Sequence, residues 1–126
     1  MIVGYTYVVG DILHFGHIQY LKSCRALCDK LIVGVLTDKA VMEKKPEPAM
    51  GFKERLELVG ELKSVDAVVA QEQYWPKKNI NNIKPDIVFE SSSHKERYPN
   101  MYGRTIVLPY FPDQSSTKIK EKIHGK

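Results

Sequence analysis

The run Ile2-Val3-Gly4-Tyr5-Thr6-Tyr7-Val8-Val9 gives way to Asp11-Ile12-Leu13-His14-Phe15-Gly16-His17, an apolar stretch ending in a turn that carries two imidazoles and a glycine. A strand that feeds a helix through such a turn is the opening of an α/β unit. There an anion meets backbone N–H groups and the positive end of the helix. Imidazole donates well to a phosphate oxygen, more strongly when protonated. Gly16 removes the Cβ that would hold a ligand off the backbone. In isolation the same tetrad also reads as two histidines capping or filling the start of a helix.

Outward from this point the pattern repeats. Ile18, Leu21, Cys24 and Leu27 recur at helical spacing, which predicts a first helix over Gly16 to Cys28. Leu31 to Leu36 is a continuous apolar run, as expected of a strand covered on both faces. Thr37 to Ala49 is polar, lysine-bearing and marked by Pro46 and Pro48, and reads as a loop. Phe52, Leu56, Val59 and Leu62 predict a second helix, and Ala67 to Ala70 a third strand. A short helix is expected from Pro76 through Ile83, because proline at a helix start loses no hydrogen bond. Ile87 to Phe89 and Thr105 to Leu108 read as the fourth and fifth strands. After a turn from Pro109 to Gln114, the hydroxyls of Ser115, Ser116 and Thr117 offer N-caps to a last helix through about Ile123. Strands alternating with helices predict one α/β domain over residues 1–126, Rossmann-like and doubly wound around a five-stranded parallel sheet.

Composition narrows the function classes. The 126 residues are 43% hydrophobic, enough for a real core, and no apolar run is long enough to span a membrane. The first strand lacks the basic leader of a signal peptide, so a cytoplasmic address and no membrane insertion are expected. Cys24 and Cys28, among apolar neighbours and without a surrounding His or Cys cluster, read as reduced core thiols. The net charge of +4 suits a polyanionic small ligand; the basic residues gather on no one block or helix face, which argues against nucleic acid.

In open α/β sheets ligands lie beyond the carboxyl ends of the strands. The segments Asp11 to His17, Thr37-Asp38 with the lysine loop, Glu90 to His94 and Tyr110 to Thr117 all follow strand ends, and so fall on one rim. In order along the chain these residues resemble the cytidylyltransferase-like nucleotidyltransferases. Asp11 to His17 matches that family's first signature, and Ser115 to Lys120 resembles the I-S-T-T segment that opens its last helix. Asp29 to Val35, Thr37-Asp38, Glu54-Arg55, Val65-Asp66 and Tyr74-Trp75 are similar to residues of the glycerol-3-phosphate cytidylyltransferase branch, so the resemblance covers essentially the whole chain.

The resemblance implies transfer of CMP from CTP to a small phospho- or phosphono-alcohol, with glycerol 3-phosphate the default acceptor and pyrophosphate released. It implies that His14, His17 and Lys44 serve catalysis, and that Val9, Gly10, Asp11, Gly16, Glu90, Ser115, Ser116 and Thr117 line the nucleotide. Lys44, Arg55, Trp75, Lys78 and His94 would meet the acceptor, with Lys45 a second lysine in reach of phosphates. Asp11 reads equally as a residue that orients a histidine, meets Mg²⁺ through water or caps the turn, with a supporting part favoured. Arg55 reads equally as a phosphate anchor or as the partner of Glu61 or Asp66. Mg²⁺ is expected with the nucleotide rather than in a dedicated cluster, and a homodimer through the sheet side near the first signature.

Three positions depart from the family pattern. Val8-Val9-Gly10-Asp11 stands where the family has G-x-F-D; Tyr110 and Asp113 replace its arginine and glycine before I-S-T-T; and Glu90-Ser91-Ser92-Ser93-His94 replaces G-D-D-W. Lys118, Arg104 or Arg97 are candidates for the missing charge, and His94, Lys95 and Arg97 for an acidic acceptor. An ATP-dependent adenylyltransferase of the same fold and a non-catalytic nucleotide-binding module of a larger enzyme are the alternatives.

Overall fold

Six consecutive main-chain pairings, from Val3↔Lys30 to Val8↔Val35, bind the first two strands in parallel and form the spine of the sheet. The computed structural model describes residues 1–94 and 96–109. The order along the chain is β1 (Val3–Val8), α1 (Phe15–Arg25), β2 (Lys30–Leu36), α2 (Asp38–Met42), α3 (Phe52–Gly60), β3 (Ala67–Gln71), α4 (Lys77–Ile83), β4 (Ile87–Ser91) and β5 (Arg104–Leu108). The sheet is five-stranded, all parallel, in the order β3-β2-β1-β4-β5. This is the doubly wound Rossmann-like architecture expected. The last helix, together with Tyr110, Asp113, Ser115, Ser116, Thr117 and Lys118, lies outside the described residues, as does Lys95.

The two faces of the sheet carry two cores. On one, Tyr20, Leu21 and Cys24 of α1 and Val59 of α3 pack on Leu31, Val33, Val35, Ile87 and Phe89. On the other, Ala40 and Val41 of α2 and Ile80 of α4 cover Tyr5, Tyr7, Leu36 and Val88. Each fully buried Val, Leu or Phe contributes about 1.5–3 kcal/mol relative to exposure, and β2 and β4 serve both cores because their side chains alternate in direction. Gly34 is required by this layering: a Cβ there would overlap the Tyr5 hydroxyl, which donates to Gln71 Oε1 at 2.5 Å.

Several boundaries moved from expectation. The first helix stops at Arg25, not Cys28. The chain tightens there, with Leu27 N–H donating to Cys24 O and Cys28 N–H to Arg25 O, and the Arg25 guanidinium takes the Cys28 carbonyl at 2.6 Å. Ile18 and Leu27, placed on the apolar stripe by spacing, are exposed, and Tyr20 fills the core beside Leu21 and Cys24. Thr37 to Ala49 is not all loop. The Thr37 hydroxyl accepts from the Ala40 N–H at 3.2 Å and caps the five-residue α2, which buries Ala40 and Val41. A helix this short has no room for a periodic signal; its Thr-Asp start was the trace available. Pro76 is the N-cap of α4 rather than its first residue, and Lys84, left-handed at φ 54°, ends that helix before Pro85. Cys24 and Cys28 are free and buried, and burial pushes the Cys24 thiol up to about 12. Among the described residues no helix is long and apolar enough to cross a membrane.

Candidate active site

β1 and β4 are neighbours for a short distance only. They pair at Gly4↔Ile87 and Tyr5↔Val88, yet both strands run on, through Thr6–Val8 and Phe89–Ser91. Side chains bridge the gap there: Thr6 Oγ1 donates to the Phe89 carbonyl at 3.1 Å, and the Tyr7 hydroxyl to both Glu90 oxygens at 3.1 and 3.0 Å. The strand order reverses at this pair, so the sheet opens at its topological switch point, where a doubly wound fold binds ligands. A cavity of about 540 Å³ lies there, bounded by Tyr7, Val8, Val9, His17, Tyr20, Leu36, Lys44, Lys45, Tyr74, Trp75, Ser91, Ser93, His94 and Glu96.

The two histidines of the opening turn form a reciprocal cap. His14 Nδ1 accepts from the Gly16 N–H at 3.0 Å, and His17 Nδ1 accepts from the His14 N–H at 3.3 Å, the geometry of a capping box with imidazoles in place of Ser and Glu. A ring nitrogen that accepts carries no proton, so in each neutral ring the hydrogen sits on Nε2. Burial holds the His17 imidazolium down to about 4, with the neighbouring His14 ring adding to the shift, and burial lowers His14 as well. Both rings are thus neutral donors near neutral pH, 4.1 Å apart between centroids. His14 Nε2 is the single buried side-chain nitrogen or oxygen among the described residues with no hydrogen-bond partner. An orphaned buried donor costs about 1–3 kcal/mol. Here it stands at the start of α1, three residues before His17, which lines the cavity, and an anion would satisfy it. The capping reading and the phosphate reading of the tetrad are therefore compatible: Nδ1 caps, Nε2 remains for a ligand.

The other candidates divide. Lys44 and Lys45 line the cavity, with Lys44 Nζ 5.3 Å from the Trp75 ring centre; Trp75 in turn packs between Tyr74 and Tyr98. Val9 and His94 are also on the wall. Gly10 takes φ +74°, which a side chain resists, as the chain turns out of β1. Asp11 faces away from this space, accepting the Ala49 and Met50 N–H groups at 3.0 and 2.9 Å and so tying the first turn to the entry of α3.

Arg55 is fully buried and binds neither Glu61 nor Asp66. Its guanidinium donates to the carbonyls of Met50, Val9 and Leu36 and to Asp38 Oδ1, the last at 2.6 Å. As folded it is a strut that gathers the ends of β1 and β2 with the approach to α3; of the two readings open from the sequence, the ion pair is made, with Asp38 as its partner, while Asp66 pairs with Arg25. Lys78 lies on a separate shallow surface with Thr37, Lys39 and Glu43, paired to Glu72 at 3.6 Å. Glu90 is fully buried, both oxygens held by Tyr7, and Oε2 also lies 3.1 Å from His94 Nδ1. Tyr7 and Tyr20 were missed, since tyrosines inside an apolar run read as core. Burial and the Glu90 charge push the Tyr7 hydroxyl up, so it stays a donor. Among the described residues no group of three or more His, Cys, Asp or Glu side chains is placed to hold a metal.

A parallel sheet opened at its switch point, with two neutral imidazoles and a lysine loop around the opening, defines a nucleotidyltransferase domain. Residues 9–122 match the family model described as cytidylyltransferase-like, and the chain belongs to that family. It is 34% identical over 96% of its length to the bifunctional protein HldE of Granulibacter bethesdensis and 36% identical over 91% to that of Campylobacter fetus. It spans about a quarter of the length of these curated relatives, 27% and 26% respectively. The lipopolysaccharide core biosynthesis protein of Thermoplasma volcanium superposes with a TM-score of 0.77 at 29% identity, covering 88% of this chain and 97% of that one. The pantoate-β-alanine ligase of Francisella tularensis, at 14% identity and a TM-score of 0.60, shares the fold.

Proposed function

We propose that this chain transfers a nucleoside monophosphate from ATP to a sugar phosphate, releasing pyrophosphate. The observation that carries the transfer chemistry is the histidine pair, each ring tied back through Nδ1 with its hydrogen on Nε2, His17 lining the switch-point cavity and His14 Nε2 buried behind it without a partner. An acceptor phosphate oxygen attacks the α-phosphorus in line, the bond to the β-phosphate oxygen breaks, and its electron pair leaves with pyrophosphate. No proton has to be supplied. The protein's task is alignment and neutralisation of the charge growing on the leaving group, which fits donors already oriented and Lys44 and Lys45 on the cavity wall. Ser115, Ser116 and Thr117 would add hydroxyl and helix-end donors to the outer phosphates. Mg²⁺ would enter with the triphosphate, since the carboxylates of Asp11 and Glu90 are already engaged within the protein.

ATP is favoured over CTP by the end of β4. The cytidylyl branch that the sequence resembles places an acid pair there, whereas here Ser91 and Ser92 follow a Glu90 turned inward. A saccharide acceptor is supported by likeness to a lipopolysaccharide core biosynthesis protein. CTP with glycerol 3-phosphate or a phosphono-alcohol is the second reading, supported by the family description and by Trp75 beside Lys44. A homodimer near the first signature is supported by exposed Phe15 and Ile18 on α1; light scattering on the purified chain tests it.

Pyrophosphate release from ATP and CTP against sugar phosphates, glycerol 3-phosphate and hydroxyalkylphosphonates tests the assignment. Release with ATP and a sugar phosphate is expected. Turnover with CTP and glycerol 3-phosphate alone replaces the first reading by the second, and nucleotide binding without pyrophosphate from any pair leaves a non-catalytic module.

A further inference from the structure

His94 differs from the two histidines of the first turn in what its Nδ1 does. That atom lies 3.1 Å from Glu90 Oε2, and a carboxylate only accepts, so Nδ1 carries the hydrogen. The ring is also stacked on Tyr7, 5.4 Å between centroids and tilted by 25°, while the Tyr7 hydroxyl occupies both Glu90 oxygens. Glu90 is wholly buried in the last part of β4, where β4 has parted from β1. A buried carboxylate is costly unless it is paired and hydrogen-bonded, and within salt-bridge distance its partner is His94. The ring is thereby clamped on three sides, from below by tyrosine, at Nδ1 by the carboxylate and through the backbone by the His94 N–H donating to the Ser91 carbonyl at 3.0 Å. Its Nε2 edge is left for the cavity that the ring lines.

We propose that Glu90 is a positioning residue: with Tyr7 it fixes the His94 ring so that Nε2, the nitrogen left without the hydrogen, accepts from a hydroxyl of the acceptor sugar phosphate. This deepens the reading of the cavity as a nucleotidyl-transfer site and rests on it. The ordered ring meets the acceptor without having to be immobilised on binding. The nucleotide is held from the other bank, by the turn after β1.

The test separates the acceptor from the nucleotide and Glu90 from His94. His94→Ala and Glu90→Gln should each raise the acceptor KM about three- to tenfold, the scale of a lost hydrogen bond, with the nucleotide KM unchanged. Because Glu90 acts through His94, Glu90→Gln made in the His94→Ala background should add nothing further. A nucleotide KM that rises instead, an acceptor KM that stays, or two effects that add would overturn the proposal. Should Glu90→Gln not fold, Tyr7→Phe removes one clamp and should move the acceptor KM in the same direction. A binding measurement distinguishes failure of the transfer reading from failure of this one. In imidazole-resolved NMR of the wild-type chain, glucose 1-phosphate should shift the His94 ring signals more than inorganic phosphate does, whether or not turnover occurs. Equal or absent shifts at saturating probe refute the role.

Discussion

The two banks of the switch-point cavity use the same residue type in opposite ways. On the β1 bank, Nδ1 of His14 and of His17 accepts from the backbone, which fixes the hydrogen on Nε2 and leaves neutral donors. On the β4 bank, Nδ1 of His94 faces a buried carboxylate and carries the hydrogen itself. What an imidazole presents to a ligand is decided at its far nitrogen, by the partner that the fold supplies there. The banks differ in support as well. The β1 bank leans on main-chain groups and on Arg55, which holds the Val9 carbonyl at 2.6 Å; the β4 bank leans on two side chains, Tyr7 and Glu90.

The largest expected effect comes from removing the donors of the first bank. His17→Ala should lower kcat by about 10²–10³-fold, the scale for losing a preoriented donor to developing charge, with the far-ultraviolet circular dichroism unchanged. A near-normal kcat would erase the functional half of the contrast. Next is the strut: Arg55→Ala leaves three carbonyls and Asp38 without their partner. It should cost about 3 kcal/mol or more in urea unfolding, from the cavity left behind and the buried carbonyls left unpaired. Arg55→Lys should recover little, because one ammonium cannot reach groups arranged for a planar fork.

Acid provides a finer comparison. The ordinary histidine value of 6.5 is lowered to about 4 for His17 in the fold, so between these values the unfolded chain binds a proton that the folded chain does not. Stability should therefore fall as pH falls from 6.5 towards 4, and His17→Gln should flatten that slope in denaturant titrations at several pH values. The smallest effect lies outside both banks. Thr37→Ala removes the cap of the helix that leads into the Lys44 loop and should cost about 1 kcal/mol.

Much of this architecture was legible. The runs Ile2 to Val9 and Leu31 to Leu36 are apolar without interruption because both faces of a parallel sheet are covered, and their alternation with helical spacing predicted the doubly wound order. Five residues of α2 were not legible, since one turn and a half cannot repeat a pattern. The tetrad His14 to His17 and the lysines of the loop stood out because phosphate chemistry narrows the residue types that serve it, and His17, Lys44 and Lys45 line the cavity. Arg55 and Glu90 were assigned to ligands because an isolated charge in a sequence looks available. Both are fully buried, and burial is a property of distant parts of the chain meeting.

The sequence by itself determined the periodicities, the strand-to-helix turn with its two imidazoles and the common rim on which the polar segments fall, since these depend on local spacing and on the chemistry of each side chain. Only the tertiary structure decided which charges face the cavity and which brace it. Arg55 stands 46 residues from Val9 and Glu90 stands 83 from Tyr7 in the chain. Whether a charged group meets water, ligand or another side chain depends on what the fold brings within hydrogen-bond reach, and no local pattern encodes that distance.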